Sequence, residues 1–210
     1  GRVAVVTGGG SGIGLGIARG FAREGARLVI CGRDEEKLRR AQAEIEALGA
    51  EVLARRADVA RADDVEALVE ATLDRFGRVD VLVNSAGIPM VAPSEELTLE
   101  QWRQVQDINL TGTFLCCQRF GRVMLRQGSG SVINIASMTS FLAVPERLGY
   151  ATTKAAVVQL TKTLAVEWGG RGVRVNAIAP GWINTPIVQG LARRGLLDVD
   201  AIVRRTPMRR

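Results

Sequence analysis

The opening Gly1-Arg-Val-Ala-Val-Val-Thr-Gly-Gly-Gly-Ser-Gly-Ile-Gly14 constrains the fold more than any other stretch of the chain. Val3 to Val6 is an apolar, β-branched run of the kind that fills a parallel strand buried on both faces. It stops at Thr7 and meets glycines at 8, 9, 10, 12 and 14. From Leu15 to Glu24 the spacing becomes helical, with Ile13, Ile17, Ala18 and Phe21 on one face. Strand, glycine turn and helix in this order aim free backbone N–H groups and a helix N-terminus at a phosphate. The pattern G-x-G-x-x-G fits no register of these glycines, and G-x-x-x-x-G-K-[ST] fails because Leu15 follows Gly14. What is present is T-G-x-x-x-G-x-G, from Thr7 to Gly14. The stretch suggests a dinucleotide; a glycine-rich connection between a core strand and a helix is the plainer alternative.

The rest of the chain repeats the alternation. Arg27 to Cys31 reads as a second strand, and Asp34 is placed to cap a helix that runs to Leu48 and ends at Gly49. Val52 to Arg55 predicts a third strand, Ala62 to Phe76 a third helix, and Val79 to Val83 a fourth strand. Thr98-Leu-Glu-Gln is a capping box that opens a further helical stretch, and a long helix follows from about Asn109 to Gln127. Gly130 to Ala136 reads as strand five, Gly149 to Trp168 as a helix and Val173 to Ala179 as strand six. Strands alternating with helices of this length call for an α/β fold with a doubly wound parallel sheet and right-handed crossovers. The expected strand order is 3-2-1-4-5-6, with a ligand across the carboxyl ends of the strands. No internal repeat or low-complexity linker divides residues 1–210, so one domain is expected.

Composition excludes more than it selects. The chain contains no histidine, which removes Ser-His-Asp and Cys-His catalysis and histidine-ligated metals. No metal site is expected. Cys31, Cys116 and Cys117 offer neither a disulfide framework nor a zinc spacing, so reduced thiols and a cytoplasmic setting are the economical reading. No apolar run approaches the roughly 18 residues of a membrane span. The net charge of +6 raises the question of nucleic acid, but the basic residues are dispersed and no aromatic-basic interleaving appears. Neither a nucleic-acid nor a membrane partner is expected. The chain starts without Met and stops at Thr206-Pro-Met-Arg-Arg210, as a part of a longer polypeptide would.

Chemistry is expected around Tyr150, the single tyrosine, and Lys154, one of three lysines among 28 basic residues. The i, i+4 spacing puts both on one helix face. Ser137 stands just beyond the end of strand five, where this architecture places its ligand. A free phenol titrates near pH 10, too high for acid–base work at neutrality. An ammonium beside it, together with a cationic nicotinamide, favours the phenolate and is expected to lower that value. A surface Tyr-Lys pair with an incidental serine is the bland alternative.

Five motifs recur in one order: Thr7–Gly14, N-S-A-G at Asn84–Gly87, Ser137, Y-x-x-x-K at Tyr150–Lys154 and P-G-x-x-x-T at Pro180–Thr185. Together they resemble the short-chain dehydrogenase/reductase family over roughly residues 2 to 186. The resemblance implies a Rossmann-type fold and NAD(P)-dependent interconversion of a carbonyl and a secondary alcohol. It implies Tyr150 as general acid/base, Ser137 as the group that orients the carbonyl oxygen, and Lys154 as the ribose-binding residue that lowers the tyrosine pKa. Asn109 matches the asparagine that holds a proton-relay water; read alone it is equally a helix cap or kink. The resemblance places the cofactor against Gly8, Ser11, Gly12, Ile13, Gly14, Asp58, Val59, Asn84, Ala86, Gly87, Tyr150, Lys154, Pro180, Gly181, Ile183 and Thr185. The second position of N-S-A-G, where the family more often has Asn, is Ser85 here; Asp58 taken alone is a turn residue.

Strand two ends Ile30-Cys31-Gly32-Arg33. A carboxylate at this strand end binds the ribose 2′-OH of NAD, whereas an arginine accommodates a 2′-phosphate. With Gly32 at the acidic position and Arg33 next, NADP(H) is the expected cofactor. Asp34 is the competitor, because a one-residue offset puts its carboxylate on the ribose and makes NAD(H) possible. Residues 186–208 mix apolar side chains with arginines and, by the resemblance, form a lid over the substrate, with Met138 and Trp182 bordering the pocket. The family's usual seventh strand is absent from this chain, and its tetramers pair the helices after strands four and five, so a homo-oligomer, tetramer or dimer, is implied. The wording resembles sugar-alcohol dehydrogenases and 3-oxoacyl-(acyl carrier protein) reductases, which implies a 3-oxoacyl thioester or a sugar or polyol ketone as substrate. A catalytically silent sensor or scaffold of the same fold is the alternative; the intact Asn109, Ser137, Tyr150 and Lys154 favour the enzyme.

Overall fold

The computed structural model describes residues 1–209. Its strands are β1 (Val3–Thr7), β2 (Arg27–Gly32), β3 (Val52–Arg56), β4 (Val81–Asn84), β5 (Gly130–Ile135) and β6 (Val173–Ile178). They form one sheet in the order β3-β2-β1-β4-β5-β6, parallel at every pairing. All five residues of β1 are buried, as expected of a central strand covered on both faces. Its alternate side chains feed two cores. Val3 and Val5 join Val29, Leu82, Phe120 and Met124 on one face, while Ala4 and Val6 join Leu28, Ile30 and Val83 on the other. Each buried valine contributes about 1.5–3 kcal/mol relative to exposure.

Helices α1 (Gly12–Arg23) and α2 (Glu35–Glu46) cover one face. Helices α3 (Ala62–Phe76), α5 (Gly112–Gln127) and α6 (Leu148–Gly169) cover the other. The α5 and α6 axes come close because Gly121 has no side chain where the Trp168 indole lies. A shorter helix, α4 (Leu99–Gln106), opens with the expected capping box: Thr98 Oγ accepts from the Gln101 N–H, and the Gln101 side chain accepts from the Thr98 N–H. Helices α7 (Pro186–Arg193) and α8 (Val199–Arg205) lie in the expected lid segment.

Most boundaries shift by one or two residues from the sequence expectation, and three of the differences bear on the site or the sheet. β4 starts at Val81 rather than Val79, because both backbone groups of Val79 are taken by the Gln127 side-chain amide, at 3.0 and 2.7 Å. α1 starts at Gly12, inside the glycine run. The stretch opened at Thr98 does not end before Asn109: α4 passes through a π-helical turn, Asp107–Thr111, into α5. Such single-turn insertions re-aim the residues they contain.

The sheet order reverses between β1 and β4, whose last residues, Thr7 and Asn84, are register partners. Connections leaving these two strands go to opposite faces, and the gap they leave is where an open α/β sheet binds its ligand.

Candidate active site

The glycine turn builds one wall of that gap from backbone. Gly8 and Gly12 have φ of 67° and 55°, in the left-handed region that glycine enters at little cost. A Cβ on Gly8 would stand 2.9 Å from the Ala86 backbone, so the β1 and β4 turns touch main chain to main chain. Thr7 locks them together: its Oγ1 accepts from the N–H groups of Ser85 and Ala86, both at 3.1 Å. The backbone surface so made fits a dinucleotide pyrophosphate, which needs close approach and free N–H donors.

The other wall comes from β5 and α6. Ser137 ends the β5 connection in extended backbone, and its Oγ accepts from the Thr139 N–H and hydroxyl at 3.2 and 3.0 Å. That leaves its own proton free to donate toward the Tyr150 phenol, and this influence favours the phenolate. One turn along α6, Lys154 Nζ lies 5.7 Å from the Tyr150 ring centroid and donates to the Ile135 carbonyl at 2.7 Å. Burial pulls the Lys154 pKa down to about 8. The expected lowering of the Tyr150 pKa is not found in the free chain. Burial raises it, and the Ser137 hydrogen bond opposes the rise. The reason is desolvation: a phenolate loses more on leaving water than the nearby groups return.

Ser137, Tyr150 and Lys154 meet the glycine turn around one cavity of about 250 Å3. Gly8, Ser11, Gly12, Ile13, Gly14, Ala86, Gly87, Pro180, Gly181, Ile183 and Thr185 line it, as do Met138 and Trp182. Five expected residues do not. Asn109 is fully buried behind the wall, its amide bridging both backbone groups of Ile88 at 2.8 and 3.0 Å and reaching Thr153 Oγ1 at 3.4 Å. It caps no helix but sits at the centre of the π-helical turn. The Asn84 side chain turns into the core, where it donates to Asn134 Oδ1 at 2.8 Å. Val59 is buried against Gly112. Arg33 and Asp58 stand at the carboxyl ends of β2 and β3, outside this cavity and 3.9 Å apart.

Asp34 is already committed. Its carboxylate caps α2 through the Lys37 N–H at 3.0 Å and pairs with Lys37 Nζ at 3.0 Å. These bonds hold its pKa below the ordinary carboxylate value. Arg33, by contrast, is half-exposed with only a distant carboxylate.

Two contributors escaped the sequence reading. Thr7 closed the first strand there, and only the β1–β4 pairing reveals what its hydroxyl holds. Arg147 also lines the cavity, although it is buried. Its place one helical turn before Tyr150 was the available signal.

A family model for short chain dehydrogenase matches residues 2–194. A D-threitol dehydrogenase of Mycolicibacterium smegmatis is 45% identical over 190 residues, covering 89% of this chain and 72% of that protein. A 3-oxoacyl-[acyl-carrier-protein] reductase of Synechocystis is 41% identical over 204 residues, 97% of this chain and 83% of that one. Among solved structures, an actinorhodin polyketide ketoreductase variant with NADPH superposes with a TM-score of 0.96 at 40% identity, covering 100% of this chain and 84% of that one. With the strand order, the glycine turn and the Tyr150–Lys154 helix all in place, the chain belongs to the short-chain dehydrogenase family and is an NAD(P)-dependent oxidoreductase working between carbonyls and alcohols.

Proposed function

We propose that the chain uses NADP(H) to interconvert a ketone and a secondary alcohol, with Tyr150 as the general acid/base. The observation that carries this is the convergence of the Tyr150 phenol, the Ser137 hydroxyl and Lys154 Nζ on a cavity whose facing wall is glycine backbone. When bound, the nicotinamide supplies or takes the hydride. In reduction Tyr150 gives its proton to the substrate oxygen while Ser137 hydrogen-bonds that oxygen; in oxidation Tyr150 takes the proton back. A phenol held above its ordinary pKa is protonated at neutral pH, which suits the reductive direction. Lys154 stands beside the ring as a charge whose attraction for the phenolate grows once water leaves the site. Asn109, tied to Ile88 next to Gly87 and Lys154, fixes the floor under both and is the residue we assign to a proton relay. Gly8, Ser11, Gly12, Ile13, Gly14, Ala86, Gly87 and the Pro180–Thr185 loop would hold the cofactor.

NADP(H) is preferred over NAD(H) because Arg33, half-exposed and held only by the long Asp58 contact, can turn to a 2′-phosphate while Asp34 is spent on its helix. Asp58, beside Arg33, is assigned to the adenosine end, and Val59 and Asn84 to support of the site from the core. The substrate is a 3-oxoacyl thioester or a sugar or polyol ketone. Met90, Met138, Val144, Trp182, Ile187 and Leu191 give its end of the cavity an apolar lining. We read residues 1–210 as one nucleotide-binding unit with a lid at 186–208. Exposed Phe114 and Val166 on α5 and α6 support a homo-oligomer through those helices. Buried free thiols agree with a cytoplasmic setting, and no helix of the described residues is long and apolar enough to cross a membrane.

The test follows NADPH and then NADH absorbance against 3-oxoacyl thioesters and sugar ketones. Turnover that prefers NADPH supports the assignment; cofactor binding with no turnover on any ketone or alcohol turns it toward a silent NAD(P)-binding sensor.

A further inference from the structure

The cavity wall holds an unanswered charge. Among the described residues that line the cavity, the charged side chains are Lys154 and Arg147, and no carboxylate is present. Lys154 is accounted for by Tyr150 and the Ile135 carbonyl. Arg147 is not. It is only 8% exposed and forms no salt bridge with any described residue. Its Nη2 donates to the Leu196 carbonyl at 3.1 Å, whereas its buried Nη1 has no partner. The neighbouring Glu146 is in the left-handed region, φ 60°, and its carbonyl accepts from the Ala92 N–H at 3.0 Å. The segment that presents Arg147 is therefore pinned in an unfavourable conformation for a non-glycine residue.

A buried guanidinium with one idle arm, answered only by the neighbouring Glu146 carboxylate from beyond salt-bridge distance, is costly, and an anion on that arm would offset the cost. Arg147 lies with the lid residue Leu196 and one helical turn before Tyr150. The glycine turn, the expected phosphate site, stands instead against Ala86 and Thr185. The cation thus belongs to the substrate's end of the cavity.

We infer that Arg147 is a specificity-determining residue that pairs with a carboxylate on the substrate, so that the ketone or alcohol turned over is an oxo acid or hydroxy acid. This rests on the carbonyl–alcohol chemistry proposed above and narrows it: a 3-oxoacyl thioester, whose carboxyl is masked, gives way to the free 3-oxo acid, and a neutral sugar ketone to the sugar-derived acid. Nη2 stays on the Leu196 carbonyl, and the substrate carboxylate completes Nη1. The pairing ties lid position to substrate charge.

The experiment compares matched pairs on the full chain with NADPH: 3-oxobutanoate against its methyl ester, and a ketohexonate against the corresponding ketohexose. Each is read as kcat/KM and, separately, as calorimetric affinity for the NADPH-loaded protein. An acid preference of about 10- to 100-fold is expected in the parent. It should approach parity in Arg147→Met and be partly retained in Arg147→Lys, which keeps the charge without the planar fork. Equal loss on acid and neutral members would make Arg147 a structural latch for Leu196 and overturn the inference. So would parity in the parent, or a change confined to the KM for NADPH. If no ketone turns over yet the acids bind more tightly in an Arg147-dependent way, the anion site stands and the catalytic proposal falls.

Discussion

The two ends of the cavity, the one we propose for the cofactor and the one we propose for the substrate, are built from different material. The cofactor end is backbone: Gly8 against Ala86, Gly14 against Gly8, and a threonine hydroxyl bridging two N–H groups. The substrate end is side chain: Met90, Met138, Trp182 and Arg147, with a lid tied by an arginine–carbonyl bond. Ile187, which lines the second end, remains exposed, as do Phe141 and Leu142 just beyond the lining residue Thr139. A backbone cradle tolerates almost no substitution, because its contacts lie at the limit of close approach. A side-chain pocket can be relined without moving the sheet. One scaffold can thus hold its cofactor fixed while its substrate changes, consistent with threitol, oxoacyl and polyketide relatives that share this chain's frame.

That contrast can be broken most forcefully at Tyr150, which serves both ends. Tyr150→Phe should lower kcat by about 100- to 10,000-fold while leaving NADPH affinity near the parent's, measured by steady-state kinetics and fluorescence titration. Loss of NADPH binding instead would place the phenol in the cofactor cradle rather than at the reacting oxygen. At the far edge of the cofactor end, Arg33→Ala should raise the KM for NADPH by about 10- to 100-fold and leave that for NADH little changed. An equal effect on both cofactors would remove Arg33 as the discriminating group.

The cradle itself is tested by two alanines two residues apart on α1. A Cβ on Gly14 would overlap the Gly8 carbonyl, whereas Gly16 is exposed with nothing within 4 Å. Gly14→Ala should destabilise the chain by about 1–3 kcal/mol in urea. Gly16→Ala should be neutral or stabilise it by about 0.5–1 kcal/mol. Similar midpoints for the two would show that the turn is looser than its geometry.

A subtler effect comes from Lys154. Its folded pKa of about 8 lies below the ordinary 10.5, so between these values the unfolded chain holds a proton that the folded chain has released. Stability from this group therefore rises with pH across that window and is lowest below it. The buried thiols act oppositely: Cys31 and Cys117 are pushed up to about 12, so above pH 9 unfolding gains from their ionisation. The difference between parent and Lys154→Met isolates the lysine. It should move in the parent's favour by roughly 1 kcal/mol from pH about 7.5 to about 9. A flat difference would mean that Lys154 keeps its proton in the folded chain.

Local chemistry made much of this legible in the sequence. β-branched runs that end in glycines predict buried strands and backbone turns, because few alternatives satisfy both burial and φ above zero. The strand order followed from the alternation of elements and the handedness of crossovers. Spacing on one helix was enough to bring Tyr150 and Lys154 together. What required the tertiary structure was whatever depends on residues far apart in the chain. Gln127 shortens β4 by capturing Val79 across 48 residues. Asn109 is held by Ile88, and Asn84 faces Asn134 in the core instead of the ligand. The direction of the Tyr150 pKa depended on how much water the surrounding elements exclude, a quantity no local pattern carries. Arg147 makes the same point from the other side: in the sequence it is one of many arginines, and only packing buries it in the cavity wall with an arm to spare.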